Sequence, residues 1–260
     1  MDRTVCLVLL LVLTVFPGRG LAEPPGTQPA PNGLTAEEIL KRADDVLTSY
    51  EDQSLTSTLT VIDSDGTEKV RELLVWQKGD MRLLKFVQPP SERGIGLLAL
   101  DSKTNYVYLP AYQRVRRVAA HVRNQTFMGT GFTQTDMSLI RYGTDYLPKL
   151  LDETDTHWRL ELTPKPDSDV GYGKLVLTVG KERFEVRWID YYDKGGNEKL
   201  KVEERSDFNL YDGKHYNATT LTVTIIKDNR QTIMTNSNYQ FDQGLPDDYF
   251  TTRNLKRPLR

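Results

Sequence analysis

The alternation of apolar and polar positions predicts a protein built mainly of β-strands. From Ser54 onward apolar residues recur at every second position, which is typical of strands with one buried face. Pairs such as Asp65-Gly66 and Gly79-Asp80 separate the alternating segments and favour tight hairpin turns. Predicted strands lie at 68–77, 80–88, 94–101, 104–109, 198–210, 214–227 and 230–241, with further alternating segments from Ser54 and around Trp158, Leu175 and Phe184. These ten or eleven strands, with no alternating strand–helix units, predict an α+β fold that is mainly antiparallel.

One amphipathic helix precedes the strands. Thr35 and Glu38 have the spacing of a capping box, in which each side chain satisfies a free backbone amide at a helix start. Apolar residues then follow at helical intervals, namely Ile39, Leu40, Ala43, Val46, Leu47 and Tyr50. The pattern predicts a helix over residues 36–50.

The middle of the chain, residues 119–155, interrupts the alternation. It contains several glycines and Pro148, and short helices are predicted at 136–141 and 145–151. A sheet of this many strands curls, and its concave apolar face must be covered. The first helix and this insertion are the apolar elements available, so we expect the insertion to be either a lid or a plug over a hydrophobic pocket.

The first residues have the pattern of an export signal. Residues 5–16 are almost wholly apolar but too short to span a bilayer, and small residues precede a cleavage point after Ala22. We therefore expect a signal peptide at 1–22, a proline-rich flexible leader at 23–33 and a single domain at 34–260. The expected location is the periplasm.

Composition and the scarcity of reactive residues argue against several functions. The chain has 34 basic and 36 acidic residues, which gives no support to nucleic-acid binding. Its single cysteine, Cys6, lies in the predicted signal, and its histidines, His121, His157 and His215, are far apart in sequence. The sequence has no nucleophile elbow of the lipase type. No catalytic, cofactor or metal site is predicted, and we expect a protein that is not an enzyme.

The segment with the most distinctive side chains begins with Arg116 and Arg117 and continues into a glycine-rich loop with Phe127, Met128 and Phe132. The arginines are suited to hold an anionic headgroup while the apolar side chains meet acyl chains. The alternative is a solvated basic edge that blocks pairing with another strand. Composition alone slightly favours the alternative.

The same segment resembles a known family, the periplasmic outer-membrane lipoprotein-sorting proteins. The shared pattern stands here as Arg116, Arg117, Val118, then Phe127, Met128, Gly129, Thr130, then Phe132, Thr133 and Asp136. The stretches 94–110 and 245–255 are also similar, and the likeness spans roughly residues 35–257. The resemblance implies an unclosed half-barrel of about eleven antiparallel strands, with helices covering a concave apolar face. It also implies binding of acyl chains without catalysis.

The functional hypothesis is a periplasmic carrier or chaperone whose partner is an acylated lipoprotein or lipid. The resemblance adds an inner-membrane transporter of the resistance-nodulation type as a second partner. The alternative is a structural or interaction subunit of an envelope complex, with a cavity filled by its own side chains. We further expect residues 119–151 to be a gate with Arg116 and Arg117 at its hinge. Replacing Phe127 and Phe132 with serine is then expected to weaken lipid binding and change the melting temperature little.

Overall fold

A computed structural model describes residues 33–259 of the chain. The predicted signal peptide, and all of the predicted leader except Gly33, lie outside the described residues. Thirteen strands are present: β1 Asp52–Ile62, β2 Glu68–Lys78, β3 Met81–Gln88, β4 Gly96–Ala99, β5 Asn105–Leu109, β6 Arg114–Arg117, β7 Tyr146–Glu153, β8 His157–Pro164, β9 Lys174–Gly180, β10 Val186–Tyr192, β11 Lys199–Tyr211, β12 His215–Ile225 and β13 Gln231–Phe241. The helices are α1 Ala36–Leu47, α2 Ala120–Arg123, α3 Gln134–Ser138, α4 Tyr142–Asp145 and α5 Thr252–Leu255, with 3₁₀ turns at Pro110–Tyr112 and Asp247–Tyr249.

All thirteen strands belong to one antiparallel sheet that does not close. Its order is β6-β5-β4-β3-β2-β1-β13-β12-β11-β10-β9-β8-β7, so the first and last strands of the chain pair in the middle, while β6 and β7 form the two edges. The predicted half-barrel with an α+β arrangement is confirmed. The strand number exceeds the prediction because β6 forms a separate strand after the turn at Pro110–Tyr112, and because β7 is a strand.

The helix predicted at 145–151 is wrong, since these residues form most of β7. Tyr146 and Pro148 are buried, whereas Leu147 and Leu151 are exposed apolar residues on the other face. Apolar residues on both faces hide the alternation that normally marks a strand. Pro148 is tolerated because β7 is an edge strand.

Helix α1 is confirmed, with its capping box formed by Thr35 and Glu38 as predicted. It ends at Leu47, three residues earlier than expected. Ile39, Leu40 and Ala43 are at most 2% exposed and pack against the strands of the β7–β10 half of the sheet. The helix therefore covers one half of the concave face.

The two faces of the sheet are covered by different parts of the chain. In β3, Leu84 and Phe86 belong to the cluster under the middle insertion, whereas Leu83 packs with Phe250 and Leu255 on the opposite face. The C-terminal segment thus covers the outer face, and α1 with the insertion covers the inner face. Among residues 33–259, no helix has the length and apolar character needed to span a membrane.

Candidate functional site

A cavity lies on the inner face of the sheet, beneath α1 and the middle insertion. Its volume is about 180 Å³. Strands β1 to β3 line one side and β10 to β13 the other, so residues from both ends of the chain form its wall. We refer to residues 119–145, which close it from above, as the cover.

The apolar part of the wall is set by the register of the first two hairpins. Leu55 pairs with Val75, and Val75 pairs with Leu84, so these three side chains form one row across β1, β2 and β3. We refer to them as the apolar row. From above, the cover contributes Phe132 and Met137 to the same cavity. The space is therefore bounded by aliphatic and aromatic groups on both sides.

A second row, two residues away from the first on each of the same strands, is polar. Gln53 pairs with Gln77, which pairs with Arg82, and we refer to these three residues as the polar row. The Arg82 guanidinium donates to Gln77 Oε1 at 2.9 Å. It also donates to the Met137 carbonyl at 2.8 Å, and this hydrogen bond joins β3 to the cover. Gln53 Nε2 donates to Tyr50 Oη at 2.6 Å and to Gln77 Oε1 at 3.2 Å. A polar end therefore adjoins the apolar row.

The opposite wall carries a buried ion pair in which both carboxylate oxygens accept a hydrogen bond. Arg205 Nε donates to Glu203 Oε1 at 2.7 Å, and another guanidinium nitrogen donates to the Tyr142 hydroxyl at 2.9 Å. The Tyr191 hydroxyl donates to Glu203 Oε2 at 2.8 Å. Burial, the largest cause, raises the pKa of Tyr191 well above its ordinary value, so it stays a neutral donor. This network joins β10 and β11 to the cover.

A second buried ion pair fixes the cover to β11. Lys201 Nζ contacts Asp136 Oδ2, and both side chains are at most 5% exposed. Lys201 also donates to the Gly131 carbonyl at 2.9 Å. Asp136 also accepts from the Thr133 amide in the capping box of α3 and from the Tyr172 hydroxyl. One carboxylate thus caps the start of a helix and holds the cover to the sheet.

The structure brings only part of the predicted site to this cavity. Phe132 lines it, and Phe127 lies beside it in the same apolar cluster, with its ring centroid 5.9 Å from that of Phe86. Met128 is half-buried and packs against the same cluster. Arg116 and Arg117 are exposed on the edge strand β6 and do not line this cavity. The role of these five residues as a gate stays a prediction.

The burial of Phe127 and Phe132 changes the expectation that serine substitutions would affect the melting temperature little. Phe127 and Phe132 are each 4% exposed and pack against strand residues of the sheet, so they belong to the core. Truncating a buried phenylalanine costs roughly 3–5 kcal/mol. Serine substitutions are therefore expected to lower the melting temperature considerably. The half-buried Met128 is the better position for testing a gate.

Sequence reasoning missed the polar row entirely. Gln53 and Gln77 occupy inward positions of β1 and β2, where the alternation calls for apolar residues, and they are 7% and 0% exposed. Arg82 faces Gln77 across the Gly79-Asp80 turn, which was predicted correctly. Polar residues at inward positions beside a predicted turn were the available signal.

The carboxylates that line the cavity are all engaged in ion pairs. The three carboxylates that line it are Asp136, Glu185 and Glu203, and each is paired with a cation of its own, Lys201, Arg187 and Arg205 respectively. Within residues 33–259, no group of three or more His, Cys, Asp or Glu is placed to hold a metal ion. The arrangement suits an elongated ligand with one polar end.

Known structures share this open half-barrel fold. An outer membrane lipoprotein-sorting protein domain from Vibrio parahaemolyticus is 24% identical, with a TM-score of 0.77 over 85% of this chain and 100% of that one. A LolA superfamily protein from Nitrosomonas europaea is 23% identical, with a TM-score of 0.73 over 85% and 99%. A DUF1329 family protein from Desulfovibrio piger is 23% identical, with a TM-score of 0.77 over 85% and 98%. No curated protein matches the sequence.

The model of a family described as "uncharacterized protein" matches residues 78–257, which is more than half of the chain. The chain belongs to this family. Its fold is that of the outer-membrane lipoprotein-sorting proteins, and the resemblance predicted from the sequence motifs is confirmed.

Proposed function

We propose that this protein is a periplasmic carrier or chaperone that binds the acyl chains of lipoproteins or lipids. The observation that carries the proposal is the cavity between the curved sheet and its cover, lined by the apolar row on one side and by Phe132 and Met137 on the other. The export signal expected at 1–22 and the fold shared with lipoprotein-sorting proteins support the location and the cargo class.

The energetics of such a carrier follow from the burial of methylene groups. Each buried methylene contributes about 0.8 kcal/mol, so a chain binds strongly only in a nearly closed apolar space. The cavity volume of about 180 Å³ is close to the roughly 150 Å³ of an engineered cavity that holds one benzene molecule. The space therefore admits only part of an acyl chain until the cover moves. Because residues 146–151 of the expected gate form part of β7, the proposed gate is residues 119–145, with Arg116 and Arg117 at their N-terminal end.

The proposed partners are an acylated lipoprotein or lipid as cargo and an inner-membrane transporter of the resistance-nodulation type. The exposed arginines of β6 support the second contact, because an edge strand rich in charge remains free of other strands and available to an acidic surface.

Ligand displacement tests the carrier. Delipidated protein is expected to bind a fluorescent fatty-acid probe at micromolar concentration and to release it when a diacylated lipid is added. Met128→Ser is expected to weaken binding several-fold without unfolding the protein if the cover is the gate. Absence of displaceable binding in the wild-type protein would contradict the carrier function, whereas unchanged binding in the variant would contradict the gate alone.

A second candidate function is an interaction subunit of an envelope complex. The observation that favours it is the extent to which the cover fills the cavity, with Phe132 and Met137 well inside the core. Native mass spectrometry of protein purified without detergent separates the two functions. Lipid that purifies with the protein supports the carrier, and a bare mass in stable association with a partner protein supports the subunit.

A further inference from the structure

The charges that line the cavity are balanced except at one residue. Asp136, Glu185 and Glu203 each have a cationic partner, and Arg205 is neutralised by Glu203. Arg82, by contrast, has only neutral partners among the described residues, namely Gln77 and the Met137 carbonyl.

An arginine in such a position is costly without a counter-charge. Burial is the largest influence on the Arg82 guanidinium and lowers its pKa, and the neighbouring cation Arg205 lowers it further. Arg82 is half-buried, and a charge that is partly removed from water without an opposite charge destabilises a protein unless something compensates it. The guanidinium keeps unused N–H groups, because it carries five and makes three hydrogen bonds among the described residues.

Other donors in the polar row are also unused. Gln77 is fully buried, yet its Nε2 has no hydrogen-bond acceptor among the described residues. The Tyr50 oxygen accepts from Gln53, which leaves the hydroxyl proton free to donate. Burial raises the pKa of Tyr50 to about 12, so the hydroxyl stays protonated at neutral pH. Within residues 33–259, the unpaired acceptor of the row is Gln53 Oε1. The Arg82 cation, the Gln77 amide and the Tyr50 hydroxyl all retain donors without acceptors among the described residues, and an anion supplies what these three lack.

We infer that the polar row, together with Tyr50, binds the anionic end of an amphiphile, a carboxylate or a phosphate, whose acyl chain lies against the apolar row. On each strand the two rows are two residues apart and lie on the same face, which corresponds to a distance of about 7 Å. This distance places the first methylenes of the chain on Leu55, Val75 and Leu84 when the charged group contacts Arg82. The inference rests on the proposed carrier function and narrows it to anionic amphiphiles.

The test compares ligands that share one chain and differ in the end group. Delipidated wild-type protein is titrated at neutral pH, below the micellar concentration, with palmitate, hexadecyl phosphate and hexadecanol. We expect both anions to bind about tenfold or more tightly than the neutral alcohol. Whichever anion binds more tightly identifies the headgroup as carboxylate or phosphate.

Three variants assign the preference to Arg82. Arg82→Met is expected to remove the advantage of the anions over hexadecanol. Arg82→Lys, which keeps the charge, is expected to restore much of it. Arg159→Met is the matched control, because Arg159 is a half-exposed arginine of β8 paired with Asp152 outside the cavity.

The outcomes separate this inference from the carrier function. If palmitate and hexadecanol bind wild-type protein equally, the anionic site is refuted and the carrier stands. If none of the three ligands binds, the carrier function fails with it. If Arg82→Met does not fold, Arg82→Lys and Arg159→Met still decide. An anion preference that is weakened in Arg82→Lys and kept in Arg159→Met supports the inference, whereas a preference lost in Arg159→Met places the site elsewhere.

Discussion

Gly131 shows how closely the cover fits the sheet at the scale of one residue. A Cβ at this position would lie 2.7 Å from Val223 Cγ1, so no side chain fits without movement of the wall. Its amide donates to Thr232 Oγ1 at 2.8 Å, and its carbonyl accepts from Lys201. The backbone of the cover thus contacts β11, β12 and β13 at a single residue.

A double-mutant cycle measures this fit. Gly131→Ala is expected to lower the free energy of unfolding by about 1–3 kcal/mol, because the added methyl overlaps a branched side chain in a packed core. In a Val223→Ala background the obstructing methyl is gone, and the same substitution is expected to cost clearly less. Urea denaturation of the wild type, both single variants and the double variant provides the measurement. Equal costs in the two backgrounds would show that the contact is not the cause.

At the scale of elements, the junction between α1 and α4 depends on a buried carboxylate. Asp44 of α1 is 5% exposed and accepts from the amides of Tyr142 and Gly143 at 2.9 and 2.8 Å. Burial raises its pKa from 3.8 to about 6, despite the opposing effect of the two amides. The first helix is therefore attached to the C-terminal end of the cover by a group that titrates in a moderately acidic range.

The raised pKa predicts a specific dependence of stability on pH. The folded state holds the Asp44 proton more tightly than the unfolded state, so the stabilising effect of protonation is complete below pH 3.8 and is lost as pH rises through about 6. Relative to Asp44→Asn, which cannot ionise, the wild-type free energy of unfolding is expected to fall by about 3 kcal/mol over this range. Chemical denaturation of both proteins at several pH values checks the difference. A wild-type free energy of unfolding that rises with pH relative to Asp44→Asn would mean that the fold stabilises the carboxylate.

Local sequence patterns predicted those elements whose cause is local. The capping box at Thr35 and Glu38 and the Gly79-Asp80 turn act within a few residues, so α1 and the β2–β3 hairpin were predicted closely. Strand β7 was not predicted because its outward face is also apolar. The polar row was not predicted because its residues come together only through pairing between strands. The unclosed half-barrel was anticipated from the family motifs.

At the scale of the whole molecule, the two faces of the sheet are packed independently. Leu84 and Leu255 are both nearly fully buried, but Leu84 lines the cavity and Leu255 packs on the outer face. Helix α5 is further held there by Lys85, whose Nζ donates to the carbonyls of Asn254 and Arg257 at 2.9 and 2.7 Å. Stability and ligand binding should therefore respond separately to changes on the two faces.

A matched pair of leucine truncations tests this separation. Leu84→Ala and Leu255→Ala are each expected to lower the free energy of unfolding by roughly 2–5 kcal/mol. Only Leu84→Ala is expected to change the affinity for the fluorescent fatty-acid probe, because it alters the cavity wall. Thermal unfolding and probe titration of the two variants are the measurements. A comparable change of affinity in Leu255→Ala would show that the outer face is coupled to the cavity.

The pairing of β1 with β13 has a consequence for the folding of the protein. The hydrogen bond from Ser57 Oγ to Asn236 Oδ1 joins residues that are 179 positions apart in the chain, and contacts of such long range form slowly. Until β13 takes its place, β1 and β12 each present an open edge in the middle of the future sheet, where association with other chains is a hazard. Met234 and Tyr239 of β13 also line the cavity, so the cavity wall is complete only after this last pairing has formed.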